Sequence, residues 1–152
     1  MQLRIVAVGK VREPYVQQAC ADFRDRLVHY VRLELREVRA SQLRYPAAAI
    51  AEEGPRLLEA IGGSDHVWLL DREGTQIDSF GLHREMQHLQ ETGAIWTLIL
   101  GGAFGVSRDV YRRANFVWSL SRLTFLHEWA RAVVLEQIYR AAKIGRNEPY
   151  HH

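Results

Sequence analysis

The 152 residues of the chain are enough for one compact domain and too few for two ordinary ones. Hydrophobic residues at 47% and charged residues at 25% describe a globular protein, which excludes a disordered tail, a collagen-like chain and a disulfide scaffold. The net charge of +2 divides unevenly, with +4 over residues 1–46, −6 over 47–105 and +4 over 106–152. Only Lys10 and Lys143 are lysine, so eighteen of the 20 basic residues are arginine. Arginine's planar fork suits phosphate and stacks on bases, making the two basic ends a candidate nucleic-acid footprint, although an arginine-biased genome produces the same composition. The longest uncharged stretch, 92–107, is broken by four glycines and is too short to span a membrane. The amino-terminal apolar run is too short for a signal peptide. A lone cysteine, Cys20, excludes internal disulfides and a cysteine cage for a metal, which fits a cytoplasmic protein.

In chain order, residues 3–8 read as a buried strand. Pro14 opens a helix running to about residue 30, with Val16, Ala19, Cys20, Phe23 and Leu27 at helical spacing. Residues 31–38 alternate strictly, the mark of a strand with one solvated face. A helix over about 47–61 stops at Gly62-Gly63. Residues 66–70 form a short apolar strand closed by Asp71-Arg72-Glu73-Gly74, and 79–90 form a helix ended by Gly93. The most apolar strand, 94–100, runs into Gly101-Gly102-Ala103-Phe104-Gly105. A short helix over roughly 107–114 leads to a strand at 116–119, then to a last helix over about 127–143 and a tail, 145–152. Strands alternating with helices predict an α/β fold, a mainly parallel sheet sandwiched by helices. No repeat or linker divides it, so a single domain over 1–152 is expected.

Ligands of such sheets bind beyond the carboxyl ends of the strands, where the loops 70–74, 101–105 and 119–124 fall. Glycines in the second loop let a ligand approach bare backbone, but a tight turn without a ligand explains them as well. Their spacing fits neither a dinucleotide fingerprint nor a P-loop. In the third loop, Thr124 lies three residues before His127 and could cap the last helix, which leaves Ser119 and Ser121 unexplained. His127 and Arg131 share a helix face; Glu136 and Arg140 are spaced as an ion pair; Val133, Val134, Ile138 and Ala141 suit a core or subunit contact. The terminal His151-His152 could be the remnant of an affinity tag, whereas Pro149 and Tyr150 beside it point to an ordered segment.

Together, Leu3-Arg4-Ile5-Val6-Ala7-Val8-Gly9-Lys10, the loops 70–74 and 101–105, Trp118-Ser119-Leu120-Ser121-Arg122-Leu123-Thr124, His127, Arg131, Glu136-Gln137-Ile138-Tyr139-Arg140-Ala141 and Pro149-Tyr150-His151 resemble one family over essentially the whole chain. It is the bacterial SPOUT-class methyltransferases that methylate N3 of a pseudouridine in large-subunit (23S) ribosomal RNA. The resemblance implies a SPOUT fold with a C-terminal trefoil knot, a rare exception to ordinary chain topology. It also implies a homodimer with each site completed across the interface, S-adenosylmethionine as cofactor and no metal. The substrate it implies is the assembled ribosome, so the partner is ribosomal RNA rather than DNA or a membrane.

Carried over by motif, Leu70, Gly101, Leu120, Ser121, Arg122, Leu123, Thr124 and Phe125 are expected to contact the cofactor. A glycine turn and a loop of leucines and amides suit an adenine and a thioether better than a triphosphate. Asp71 and Glu73 are the nearby carboxylates for the sulfonium and amino groups, and either could instead be purely structural. The catalytic set expected from the resemblance is His127, Arg131, Tyr150 and His151. Arg131 would hold an RNA phosphate or the anionic base, His127 or His151 would assist the proton, and Tyr150 would orient or stack on the base. The basic C-terminal segment is expected beside the RNA and the acidic middle is expected to face away. A non-catalytic nucleotide- or ribosome-binding α/β module is the alternative, separable by calorimetry with S-adenosylmethionine. A flavodoxin-like signalling domain is disfavoured, because Gly9-Lys10 follows the first strand where an acidic cluster would stand.

Overall fold

Strands and helices alternate along the whole chain in the computed structural model, which describes residues 1–152. They are β1 (Gln2–Val8), α1 (Pro14–Leu27), β2 (Arg32–Val38), α2 (Pro46–Glu59), β3 (His66–Thr75), α3 (Ser79–Thr92), β4 (Trp96–Leu100), α4 (Arg108–Arg113), β5 (Phe116–Trp118) and α5 (His127–Gly145). The five strands form one sheet in the order β2-β1-β4-β3-β5, and every neighbouring pair is parallel.

Successive side chains of a strand point to opposite faces, so the sheet builds two cores from the same strands. Leu3, Ile5 and Ala7 of β1 join Trp68, Leu98 and the apolar stripes of α1, α3 and α5 in the larger core. Val6, Val8, Val67, Leu69 and Ile99 face the other way, onto Leu57 of α2 and Val110 of α4. Each fully buried aliphatic side chain contributes about 1.5–3 kcal/mol relative to exposure, which is why β1 and β4 are mostly apolar on both faces, with exceptions at Arg4 and Thr97. Helix α5 packs on both α1 and α3, so its partner-facing stripe is wide: nine of its 19 residues are buried.

At the amino ends of the strands a polar network interrupts the second core. The Arg4 guanidinium pairs with Asp65 and, at 2.9 Å, with Glu34, while the Thr97 hydroxyl donates to Asp65 at 2.6 Å. Burial opposes the Asp65 charge, but Thr97, the Gly62 N–H and Arg4 together hold its carboxyl below the usual range.

Three differences from the sequence reading have local causes. β2 is an edge strand, but neither face is simply solvated: Leu33 and Leu35 pack on the larger core, while Glu34 and Arg36 pair with each other on the opposite face, 2.6 Å apart. β3 does not end at Leu70; after an irregularity in register it continues to Thr75, which pairs with Trp118. Gly74 permits that approach, since a Cβ there would stand 2.5 Å from the Val117 carbonyl oxygen. Finally, α1 stops at Leu27, where Tyr30 and Val31 donate their N–H groups back to its carbonyl.

Candidate active site

Beyond the carboxyl ends of β4, β3 and β5 the three loops converge on a cleft of about 550 Å³. Leu70, Gly101, Leu120, Ser121, Leu123, Thr124 and Phe125 all line it, and His127 joins them from the start of α5. Arg122 is not among the lining residues and is exposed.

The glycine loop is shaped by close packing. A Cβ on Gly101 would stand 2.6 Å from Cγ1 of Val106, and one on Gly102 would stand 2.8 Å from Oε1 of Glu53. Gly105 adopts a left-handed φ of +91° and donates its N–H to the Gly102 carbonyl at 3.1 Å, closing the turn. Side chains are thus excluded from the turn on its inner side, and backbone faces the cleft.

The loop 119–124 is anchored from β3. The buried Ser119 donates its backbone N–H to the Thr75 carbonyl at 3.0 Å, and its hydroxyl lies within 2.9 Å of the Arg72 carbonyl oxygen. Ser121 accepts the Leu123 N–H at 3.1 Å. Those are the roles that helix capping left unexplained. Capping itself fails for Thr124: the N-cap of α5 is Leu126, without a side-chain bond, and the Thr124 hydroxyl instead accepts from Arg72 at 3.0 Å. The expected ion pair of Glu136 and Arg140 is present at 2.6 Å.

Two carboxylates of the acidic middle stand at the cleft and a third lies behind it. Asp71 stands at the cleft, accepting the Glu73 N–H at 2.8 Å and the Tyr111 hydroxyl, and burial together with that contact pushes the Tyr111 phenol well up. Glu73, largely exposed, lies 3.4 Å from Arg72. Glu53 is buried behind the glycine turn and accepts the Ser41 N–H at 2.8 Å. Tyr111 and Glu53 escaped the sequence reading because each lies on a helix remote in sequence from the loops it supports.

The four expected catalytic residues occupy three places. His127 is exposed at the cleft. Beside it Glu128 is buried and accepts the N–H groups of Arg12 and Glu13 at 3.0 and 3.2 Å; those bonds outweigh burial and hold its carboxyl below the ordinary range. Arg131 is not where a direct hold on RNA would put it. The residue is 5% exposed and its guanidinium is bonded to Glu37 at 2.6 Å and to the Gly9 carbonyl at 3.0 Å, so both bonds turn it toward the ends of β1 and β2.

Tyr150 and His151 lie near the other end of α5. Asn147, with a left-handed φ of 53°, reverses the chain after the helix, and the tail then docks as an ordered segment. The Tyr150 hydroxyl donates to Glu136 at 3.0 Å beneath the Arg140 guanidinium, and burial with that carboxylate raises its phenol. His151 stands edge-on to Phe80, with Nδ1 3.4 Å from Arg140. No group of three or more His, Cys, Asp or Glu side chains is arranged to hold a metal ion, and no helix is long and apolar enough to cross a membrane.

A parallel α/β sheet with a backbone-lined cleft at the carboxyl ends of its strands defines the class of α/β proteins that hold a small ligand or cofactor there. The family described as "Predicted SPOUT methyltransferase" matches residues 1–151. Proteins named Ribosomal RNA large subunit methyltransferase H are similar over nearly full length. That of Gloeobacter violaceus is 43% identical, covering 100% of this chain and 99% of its own; that of Desulfitobacterium hafniense (strain DSM 10664 / DCB-2) is 42% identical, covering 99% of each. Among solved structures, a probable methylase family protein from Haemophilus influenzae superposes with a TM-score of 0.62 at 11% identity, over 99% of this chain and 70% of its own. A probable methyltransferase from Bordetella pertussis gives 0.58 at 14% identity, over 93% of this chain and 96% of its own, so the likeness is one of fold. The chain belongs to the SPOUT methyltransferase family.

Proposed function

We propose that the chain methylates N3 of a pseudouridine in large-subunit (23S) ribosomal RNA, using S-adenosylmethionine and acting on assembled ribosomes in the cytoplasm. The observation that carries this reading is the cleft, in a chain more than 40% identical to proteins named for that RNA. Its residues fit the cofactor. A glycine turn that a Cβ would fill offers backbone to an adenine, Leu70, Leu120 and Phe125 offer apolar wall, and Glu73 is a carboxylate for a cationic group. When bound, the cofactor supplies a methyl group on a sulfonium for in-line displacement.

The chain's own residues then have two tasks. One is to hold the base in line, which by itself accounts for much of the rate in such transfers. The other is to take up the imide proton or stabilise the charge it leaves, the part of His127 or His151. Tyr150 orients or stacks on the base. Arg131, buried against Glu37 and Gly9, serves as a positioning residue for the turn after β1.

His127 cannot meet Tyr150 and His151 within one chain as packed, which supports a homodimer. Two copies related by a two-fold axis with antiparallel α5 helices bring the tail of one to the cleft of the other. Tyr15 and Trp129, exposed and in ring contact at the amino ends of α1 and α5, offer an apolar patch for that contact. A knotted C-terminal path agrees with the return of the chain from β5 at one sheet edge, past the glycine turn, to α5 between α1 and α3. The test is incubation with methyl-labelled S-adenosylmethionine and either assembled ribosomes or free subunits. Label in the large-subunit RNA of assembled particles, at the N3 position of a pseudouridine, is expected. No calorimetric binding of S-adenosylmethionine would sink the reading.

A further inference from the structure

A second groove, about 720 Å³, lies at the carboxyl ends of β1 and β2, beside the cleft. Three cations line it, Lys10, Arg12 and Arg39; all are exposed and none has a carboxylate within ion-pair distance. The acidic side chain in the groove, Glu37, is already neutralised by Arg131. Elsewhere much of the basic charge is spent internally. In the C-terminal segment Arg131, Arg140 and Lys143 pair with carboxylates, and Arg113 and Arg146 bond backbone carbonyls. Arg108 and Arg122 of that segment remain exposed and unpaired, and the amino-terminal third adds three such cations in one groove.

Two ties fix this groove to the cleft. Glu128, the neighbour of His127, holds the backbone of Arg12 and Glu13. Glu53 accepts the Ser41 N–H from the groove side and lies against Gly102 on the cleft side. Unpaired guanidinium and ammonium groups on a concave, solvated surface retain the charge that a phosphodiester can neutralise with release of counterions.

We infer that Lys10, Arg12 and Arg39 form a phosphate-binding track that holds the RNA strand flanking the methylated base. The inference rests on the function proposed above and adds the surface through which the substrate is held. It is tested with the full chain, S-adenosylmethionine, assembled ribosomes and a protein-free fragment of large-subunit ribosomal RNA. The variant Lys10→Gln/Arg12→Gln/Arg39→Gln is compared with wild type and with Arg32→Gln, whose exposed side chain lies at the opposite end of β2.

The triple variant is expected to lower kcat/KM for ribosomes by about 10-fold or more at unchanged affinity for S-adenosylmethionine. Its salt dependence of RNA binding should fall by about 0.7 in log–log slope for each single-strand phosphate that is no longer neutralised. Arg32→Gln should match wild type. If the triple variant also loses cofactor affinity, the three single variants decide, each being required to lower ribosome turnover alone with cofactor affinity intact. Wild-type turnover in the triple variant overturns the track, as does lost ribosome turnover with unaltered binding of the protein-free RNA, which would assign the groove to a ribosomal protein. Wild type that binds the cofactor but methylates no ribosome would instead overturn the proposed function.

Discussion

His127 and His151 are held apart by α5: His127 opens the helix, and His151 packs beside Arg140, about 20 Å further along the axis at 1.5 Å per residue. A site that uses both is therefore a site between two chains. Mixing His127→Ala protein with Tyr150→Phe/His151→Ala protein should restore methyl transfer, because each mixed dimer regains one complete site. With random exchange the recovery is about a quarter of the wild-type rate. Verified subunit exchange without any recovery would show that the two ends of α5 do not share a site.

The pair formed by Arg131 and Glu37 gives a second expectation. Arg131 is buried and Glu37 partly exposed, so Glu37→Gln, which leaves the buried guanidinium uncompensated, should cost about 3 kcal/mol of stability, and Arg131→Ala about 1–3 kcal/mol. Denaturant unfolding measures both. Lost ribosome turnover in Arg131→Ala at undiminished stability would instead return Arg131 to the RNA.

Gly102→Ala tests the glycine turn. The new methyl would meet the Glu53 carboxylate at 2.8 Å, and that carboxylate is fixed by Ser41. The turn must then open, and calorimetry should show affinity for S-adenosylmethionine reduced about tenfold or more, roughly 1.4 kcal/mol. Unchanged affinity would remove this turn from the cofactor's contacts.

Asp65 sets part of the acid sensitivity. Its folded carboxyl titrates below the unfolded range, so its contribution is complete above about pH 4 and is lost as pH falls through the folded value. Asp65→Asn should destabilise the protein at neutral pH and flatten the acid limb of a stability-versus-pH curve. An acid limb identical to wild type would mean that other carboxylates govern it.

Much of this architecture was legible because period-two and helical apolar patterns report burial directly. β1 and β4, mostly apolar on both faces, announced a parallel sheet. The start of α5 at His127 was legible too, as was the convergence of loops at the strand ends. The continuation of β3 to Thr75 was not: Asp71-Arg72-Glu73-Gly74 looks like a turn, and only the packing of Gly74 on Val117 makes it strand. Nor could helical spacing show which way Arg131 turns. His127 and Arg131 lie four residues apart, yet one faces the cleft and the other Glu37 and Gly9, because the long guanidinium reaches a partner 94 residues distant. Charge sums are limited for a related reason, since they cannot separate free cations from those already paired.

The strand order also governs when the protein can begin to fold. β4 lies between β1 and β3, so neither of those earlier strands finds its neighbour on that side until residue 100 has been made. Only β1 with β2 can pair beforehand, and the unpaired backbone edges of β1 and β3 stay uncovered meanwhile. Non-local pairing of this kind is slow and leaves nascent chains exposed to aggregation. Ribosome-stalled chains ending before β4 should remain protease-sensitive, with protection arising only once β4, β5 and α5 have emerged. Early protection would mean that β1 and β3 have found another partner.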